Sequence, residues 1–367
     1  MDTITQTDIG PDLGTRLRRG TRWTSAATAV GGIATLATGA AALNGGITVA
    51  GAGGPGVAIA ASADPQLLAW VLAAAAALVT IAMAWVRSQV RGVANGTAAA
   101  GWTRTRTGAA VASAVVAVAV LATVCGALLL AVAGYLPMLL VGALFSPDLR
   151  EGLAMIAEPA VLAQIGVVVF ALSTVVPALA ALDALRGNRP LPDRLQPASA
   201  ARWGRTAATV AIVVPLLYAF TRVVWVLGWP LGIDIDAFEE AGGTLASGLG
   251  LAAGATIGAA LTTGLVLPWG ERFWAWVPVL GGRAVPVWLA VVPASVVAAL
   301  LLPAGLSMVN VGLSGGGISS VLGDLGANWA AIGTTFLWPL WSLALAAATL
   351  AYALRRRVSV PGRIVAA

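Results

Sequence analysis

The chain has no histidine, no lysine and one cysteine among 367 residues. Without imidazole it has no histidine ligand for haem or zinc and no histidine general base. Without lysine, Schiff-base chemistry is closed to it. A lone Cys125 makes no internal disulfide, thiol pair or iron–sulfur site, and inside an apolar run it reads as a small hydrophobe. Charge is also scarce. Charged residues make up 10% of the chain and hydrophobic ones 59%, against ~25% charged in a soluble domain. Stretches such as Leu67–Val86 show none of the two-residue alternation that ~10-residue barrel strands need. The expected class is therefore all-α, a polytopic helical membrane protein that uses no cofactor.

What is present is a series of long apolar runs, at 24–43, 66–86, 108–134, 159–183, 206–231, 245–268, 285–308 and 330–354. Runs of ~20 residues cross a ~30 Å hydrocarbon core as helices. The basic residues sort around them. All 21 are arginines, and 19 fall in the N-terminal segment, the second, fourth and sixth connections, or the C-terminal segment. Only Arg150 and Arg222 do not. Acidic residues mark the other connections: Asp64 in the first, Asp148, Glu151 and Glu158 in the third, Asp234, Asp236, Glu239 and Glu240 in the fifth, and Asp324 in the seventh. Arginine accumulates on the cytoplasmic side of short loops. The expectation is eight transmembrane helices with both termini cytoplasmic. A high net positive charge can signal nucleic acid. Here the arginines form small clusters beside span ends, so the expected partner is the lipid bilayer, through anionic headgroups, and not nucleic acid.

Residues 1–20 read as a disordered cytoplasmic tail. The first run is expected to stay in the protein, because a polar leader containing Asp2, Asp8 and Asp12 precedes its arginines, unlike a cleaved signal. Between Gly108 and Phe145 the chain is apolar almost throughout. Two spans there would put Arg186, Arg189, Arg194, Arg202 and Arg205 outside. One span is therefore expected, with a break near Gly134 and Pro137 and Tyr135–Phe145 folding back or entering partway.

The Pro- and Arg-rich stretch 189–203 is expected as a cytoplasmic linker between four-helix membrane units 21–188 and 204–357, with a cytoplasmic tail at 358–367. The two units share ordered matches: Arg22-Trp23 with Arg202-Trp203, Ala112-Ser113 with Ala294-Ser295, and Ala184-Leu185-Arg186 with Ala353-Leu354-Arg355. An even number of spans per unit makes this a parallel 4+4 internal repeat.

The densest functional feature is YAFTRVVWVLGWPLGIDIDAFEEA, beginning at Tyr218. Arg222 is a charge inside a span, which costs ~2.5 kcal/mol or more on insertion scales. Tyr218, Arg222, Trp225 and Trp229 recur at the spacing of one helix face. That stripe can line a cavity in which Arg222 holds the anionic group of a small-molecule ligand. Alternatively Arg222 snorkels to the outer headgroups, or pairs with Glu158 first and Asp234 second. The acidic group Asp234, Asp236, Glu239 and Glu240 lacks the glycine and terminal acid of a calcium loop, so no metal site is expected.

Elsewhere, Gly250, Gly254 and Gly258 form small-xxx-small steps expected to pack another helix closely. The connection holding Trp269, Glu271, Arg272, Trp274, Trp276 and Arg283 is expected at the lipid interface. Pro286 and Pro293 enter the following span and permit a kink. GLSGGGISS at 312–320 lacks the Gly-Lys-Ser/Thr ending of a phosphate loop.

Segments 218–232 (YAFTRVVWVLGWPLG) and 265–294 (LVLPWGERFWAWVPVLGGRAVPVWLAVVPA) resemble an uncharacterised family of multi-pass membrane proteins of high-GC Gram-positive bacteria. The resemblance implies a bacterial plasma-membrane location and assigns no activity. Family members carry Pro-Arg-Trp after the residue matching Phe273, and two consecutive arginines where this chain has Arg283-Ala284. The chain departs at both points, so neither basic motif can be carried over.

A transporter or permease-like protein for a small molecule fits the duplicated spans and Arg222. A non-enzymatic sensor or assembly subunit fits the scarcity of ionisable groups within the spans, where Asp183 is the sole carboxylate. Enzyme chemistry is disfavoured, since no paired carboxylates or nucleophile–base spacing is present. Thiol labelling or reporter fusions after Gly53, Glu240 and Gly316 are predicted to place all three sites outside the cell. Cytoplasmic labelling at Glu240 would overturn the topology of the second half.

Overall fold

Asp64 and Pro65 set the start of the first α-helix among the described residues. The Asp64 carboxylate accepts a hydrogen bond from the Leu67 amide at 2.8 Å, and Pro65 occupies a position whose N–H has no helical partner to lose. This computed structural model describes residues 59–356 apart from 63, 100, 143, 146–158, 187–188, 236–244 and 315–328. Its helices are α1 (Pro65–Ala94), α2 (Arg104–Val124), α3 (Leu128–Gly142), α4 (Pro159–Leu185), α5 (Pro197–Val226), α6 (Leu245–Thr263), α7 (Val287–Ser314) and α8 (Trp338–Arg356). A helical stretch from Trp329 leads into α8 with one turn residue, Leu337, between them. Among the described residues there is no strand, only an isolated antiparallel bridge between Arg272 and Ala284.

Six segments are long and apolar enough to cross a membrane: Gln66–Ala94, Arg104–Val124, Val161–Leu185, Pro197–Val226, Val287–Asn310 and Trp329–Arg356. They are consistent with an integral membrane protein. The expected run 24–43 lies outside the described residues, and the expected run 245–268 is the shorter helix α6. Among the described residues six helices thus have the length and apolarity to span, and two of the eight expected runs are not among them.

The chain divides into two units, residues 1–126 with 156–190, and 127–155 with 191–367. The division at 190 falls inside the expected 189–203 linker, but residues 197–203 are the first turns of α5, and segment 127–155 belongs to the second unit.

In the first unit, α1, α2 and α4 pack through Val86, Val90, Ala110, Ala117, Ala181 and Leu185. The Gly101 amide donates to the Leu185 carbonyl at 2.7 Å, and the Trp102 indole to Leu182 O at 2.8 Å. These bonds bring the end of α4 to the α1–α2 connection, so α2 runs against both neighbours. Arg87, Arg91, Arg104, Arg106, Arg186 and Arg189 consequently gather at one end, with Asp64 at the other. Asp183 pairs with Arg186 at 3.0 Å at this basic end rather than at mid-depth.

The second unit sorts its charge in the same way. α5 and α8 run antiparallel, with Gly204 opposite Ala351 and Tyr218 opposite Trp338. α6 starts beside Arg222 at Gly248 and leads to Leu265, whose carbonyl accepts from Arg355. α7 leaves the same end, where Val285 O accepts from Arg356 at 2.8 Å. Arg202, Arg205, Arg272, Arg283, Arg355 and Arg356 therefore share one end of this unit, and Arg222 lies toward the opposite one.

Two expectations about local structure change. The break in 108–145 comes at Cys125–Ala127, where Cys125 adopts an extended backbone ahead of Gly126. Gly134 and residue 137 lie within α3, a helix of 15 residues and so ~22 Å long, short of the ~30 Å core. The second change concerns Gly250, Gly254 and Gly258. Among the described residues nothing lies within 4 Å of where their Cβ atoms would sit. α6 turns a different face inward, through Ala252, Ala259 and Thr262. Close approaches between helices occur instead at glycines such as Gly204, which faces Ala351, and Gly305, which faces Pro339. Small residues let helix backbones meet where no hydrophobic force pulls them together. Buried Ala208, Ala211, Ala344 and Ala348 extend the same seam.

Gly204→Ala is predicted to destabilise the protein by about 1–3 kcal/mol through overpacking, read as a lower melting temperature in detergent. Gly254→Ala is predicted to be neutral or stabilising by up to about 1 kcal/mol, because it gains helix propensity in open space. Equal effects of the two substitutions would contradict the placement of the seam.

Candidate functional site

The candidate site stands on the last turns of α5. That helix ends in a Schellman motif: Trp229 N donates to Val224 O at 3.1 Å and Gly228 N to Trp225 O at 3.0 Å. Gly228 takes φ 86°, a left-handed conformation that glycine adopts without a Cβ penalty. Pro230 follows and cannot continue the helix. The turn matters for the site because it fixes where the aromatic stripe stops.

Arg222 lies one turn from Tyr218 on one side and one turn from Trp225 on the other. Its guanidinium carbon sits 4.3 Å from the Tyr218 ring centre and 4.1 Å from that of Trp225. Both distances are within cation–π range, where a desolvated pair is worth ~2 kcal/mol. Nη1 donates to the Thr221 hydroxyl at 3.0 Å and to the Ala330 carbonyl at 3.4 Å. Thr221 in turn donates to Tyr218 O at 2.8 Å, which leaves its oxygen lone pairs to face the guanidinium.

The surroundings hold the rings in place. The Trp225 indole donates to Leu231 O at 2.9 Å, and Trp225, Ile233 and Ala330 are buried together. The Ala330 amide donates to Gly232 O at 3.1 Å, which ties the entry to the last helical segment onto the loop after α5. On the other side α6 offers Gly248, where an added Cβ would lie 3.6 Å from the Arg222 Cδ. The stem of Arg222 thus runs along the start of α6. Trp338 tilts against Tyr218 with ring centres 6.1 Å apart, and the buried indole N–H groups of Trp338 and Trp341 find no acceptor among the described residues.

Of the residues expected here, the structure joins Tyr218, Arg222 and Trp225. Trp229 does not continue the stripe: α5 has ended, the left-handed Gly228 turns the chain, and Trp229 is 71% exposed. Glu158 lies outside the described residues. Asp234 is exposed in the loop that follows. Among the described residues the ion pairs are Arg186–Asp183 and Arg355–Glu271, so Arg222 is met by π faces and neutral oxygens.

Thr221, Gly248 and Ala330 carried no signal in the sequence. Thr221 contributes a hydroxyl, Gly248 the room left by a missing Cβ and Ala330 a backbone oxygen, none of which forms a sequence pattern, and only the fold brings 330 to 222. Arranged this way, the guanidinium has five in-plane donors of which Nη1 commits two. A carboxylate or phosphate oxygen is the complementary partner for the others. The chain matches none of the protein families, characterised proteins or solved structures with which it was compared.

Proposed function

We propose that the chain is an eight-span protein of a bacterial plasma membrane, transporter or permease-like, that receives a small molecule with an anionic group at Arg222. The single observation carrying the ligand reading is the way Arg222 is held. Its charge lies between Tyr218 and Trp225 with neutral oxygens on Nη1, and neither ion pair among the described residues includes it. A charge kept inside a span marks a functional position by default.

The eight-span reading is supported by α6, whose ends lie at the levels of Arg222 and Arg355, and by the gathering of arginines at one end of each unit. That basic end is the cytoplasmic one in this proposal. The parallel 4+4 arrangement is part of it, and rests on the ordered matches between the halves. Bacterial origin rests on the resemblance of segments 218–232 and 265–294. Movement would use the seams already described, since Pro215 in α5, Pro303 in α7 and the Leu337 turn before Pro339 interrupt the hydrogen-bond ladders within the second unit.

Arg222→Gln separates this reading from a structural one. For a ligand site, membrane yield stays at the parent level and binding of the cognate anion weakens by roughly 10- to 100-fold, the loss of a charged hydrogen-bonding partner. If yield falls and Glu158→Gln restores it, the arginine serves a structural ion pair and the ligand reading is wrong.

A further inference from the structure

The connection between α6 and α7 forms a second surface of defined chemistry, at the end of the unit opposite Arg222. Its two limbs meet at the Arg272–Ala284 bridge, with Phe273 N donating to Arg283 O at 3.0 Å and Val285 N to Glu271 O at 2.9 Å. The base is bolted to the end of α8. The Tyr352 hydroxyl donates to Gly270 O at 2.7 Å, Arg355 pairs with Glu271 at 3.3 Å, and Arg356 donates to Val285 O at 2.8 Å. The hairpin is thus held at a fixed attitude by three side chains of one helix.

What it presents from that base is unusual for a surface facing only water. Trp276 is 75% exposed and Val279 83%, with Trp274 stacked on Trp276 at 5.6 Å. Val279 adopts φ 66°, a left-handed conformation costly for a β-branched residue, so the tip keeps an apolar side chain outward at the expense of backbone strain. Arg272 is one residue of the bridge and Arg283 adjoins the other, both exposed and in neither ion pair among the described residues. Arg202 and Arg205 lie at the same end of the unit.

We propose that the hairpin 271–285 docks on the anionic headgroups of a phospholipid leaflet. Trp276 and Val279 enter the headgroup–acyl boundary, and Arg272 and Arg283 meet the phosphates. Indole rings favour that boundary because one edge is polar and the body apolar. Arginines near an anionic leaflet are drawn to its negative surface potential. Because α8 fixes the base, the two arginines and the tip are presented together, which a mobile loop would not do. The proposal is independent of the Arg222 reading, since it uses other residues at the other end.

The test uses the full chain in a neutral detergent, with Val279→Cys carrying an environment-sensitive fluorophore; Cys125 is buried and stays in place. The label is titrated with short-chain phosphatidylglycerol, short-chain phosphatidylcholine and glycerol phosphate. The expected result is a blue shift with phosphatidylglycerol at on the order of 10-fold lower concentration than with phosphatidylcholine, and none with glycerol phosphate. Arg272→Gln with Arg283→Gln removes the preference while the melting temperature holds, and Arg272→Lys with Arg283→Lys keeps it. An equal response to both lipids overturns the proposal, as does a response to glycerol phosphate alone or no response to any ligand. A shift that grows with protein concentration in the absence of lipid assigns the surface to a second copy of the chain and overturns it too.

Discussion

Hydrocarbon offers a backbone no hydrogen-bond partner, and most of this structure follows from that constraint. Every N–H and C=O at membrane depth must be satisfied within the chain, which leaves the helix as the form for an unalternating apolar sequence. The same pressure reaches the side chains. Ser113, Thr174 and Thr349 donate to carbonyls one turn back in their own helices, at 2.7–2.8 Å. Ser342 instead donates to Ala298 O at 2.8 Å, and so joins α8 to α7. Once the backbone is closed, little apolar force pulls one helix to another, and association turns on how nearly two surfaces can touch. Gly204 on Ala351 and Gly305 on Pro339 are where that contact is tightest.

Arg222 works against this background. Its guanidinium cannot be left bare at depth, and the chain surrounds it with aromatic faces, a hydroxyl and a carbonyl. The carbonyl comes from Ala330, more than a hundred positions away, so the geometry around Arg222 depends on the packing of α5 against the last helical segment. The tight α5–α8 seam at Gly204 therefore supports the site at the other end of the same helix pair. The basic end uses arginine differently. Arg355 and Arg356 reach backbone carbonyls and so tie a helix end to a loop.

Much of the architecture was legible because it rests on composition and charge. The apolar runs anticipated the six long helices, and Asp64, expected in the connection before the second run, caps the start of α1. Three things were not legible. The break at Cys125–Ala127 depends on one extended residue before a glycine, whereas Gly134 and Pro137 looked like stronger punctuation. The glycine repeat in α6 has the spacing of a packing motif, yet spacing does not say which face meets a neighbour, and α6 packs through Ala252 and Ala259. At the candidate site, helical periodicity grouped Tyr218, Arg222 and Trp225, whose side chains do lie together. It carried the stripe one turn too far to Trp229, because Gly228 ends the helix. Thr221 and Ala330 could not be found in this way, since a hydroxyl beside the arginine and a distant backbone oxygen leave no pattern.

The central claim is that Arg222 is kept for a ligand and not for the fold. It is tested most directly by thermal unfolding of the purified protein against a panel of small carboxylates, phosphates and sulfonates. A ligand that binds the native state raises the melting temperature with its concentration. The account predicts that at least one anion does so for the parent protein and has no effect on Arg222→Gln, whose own melting temperature matches the parent. If the substitution by itself lowers the melting temperature and no anion discriminates between the two proteins, Arg222 serves the fold and the account is contradicted.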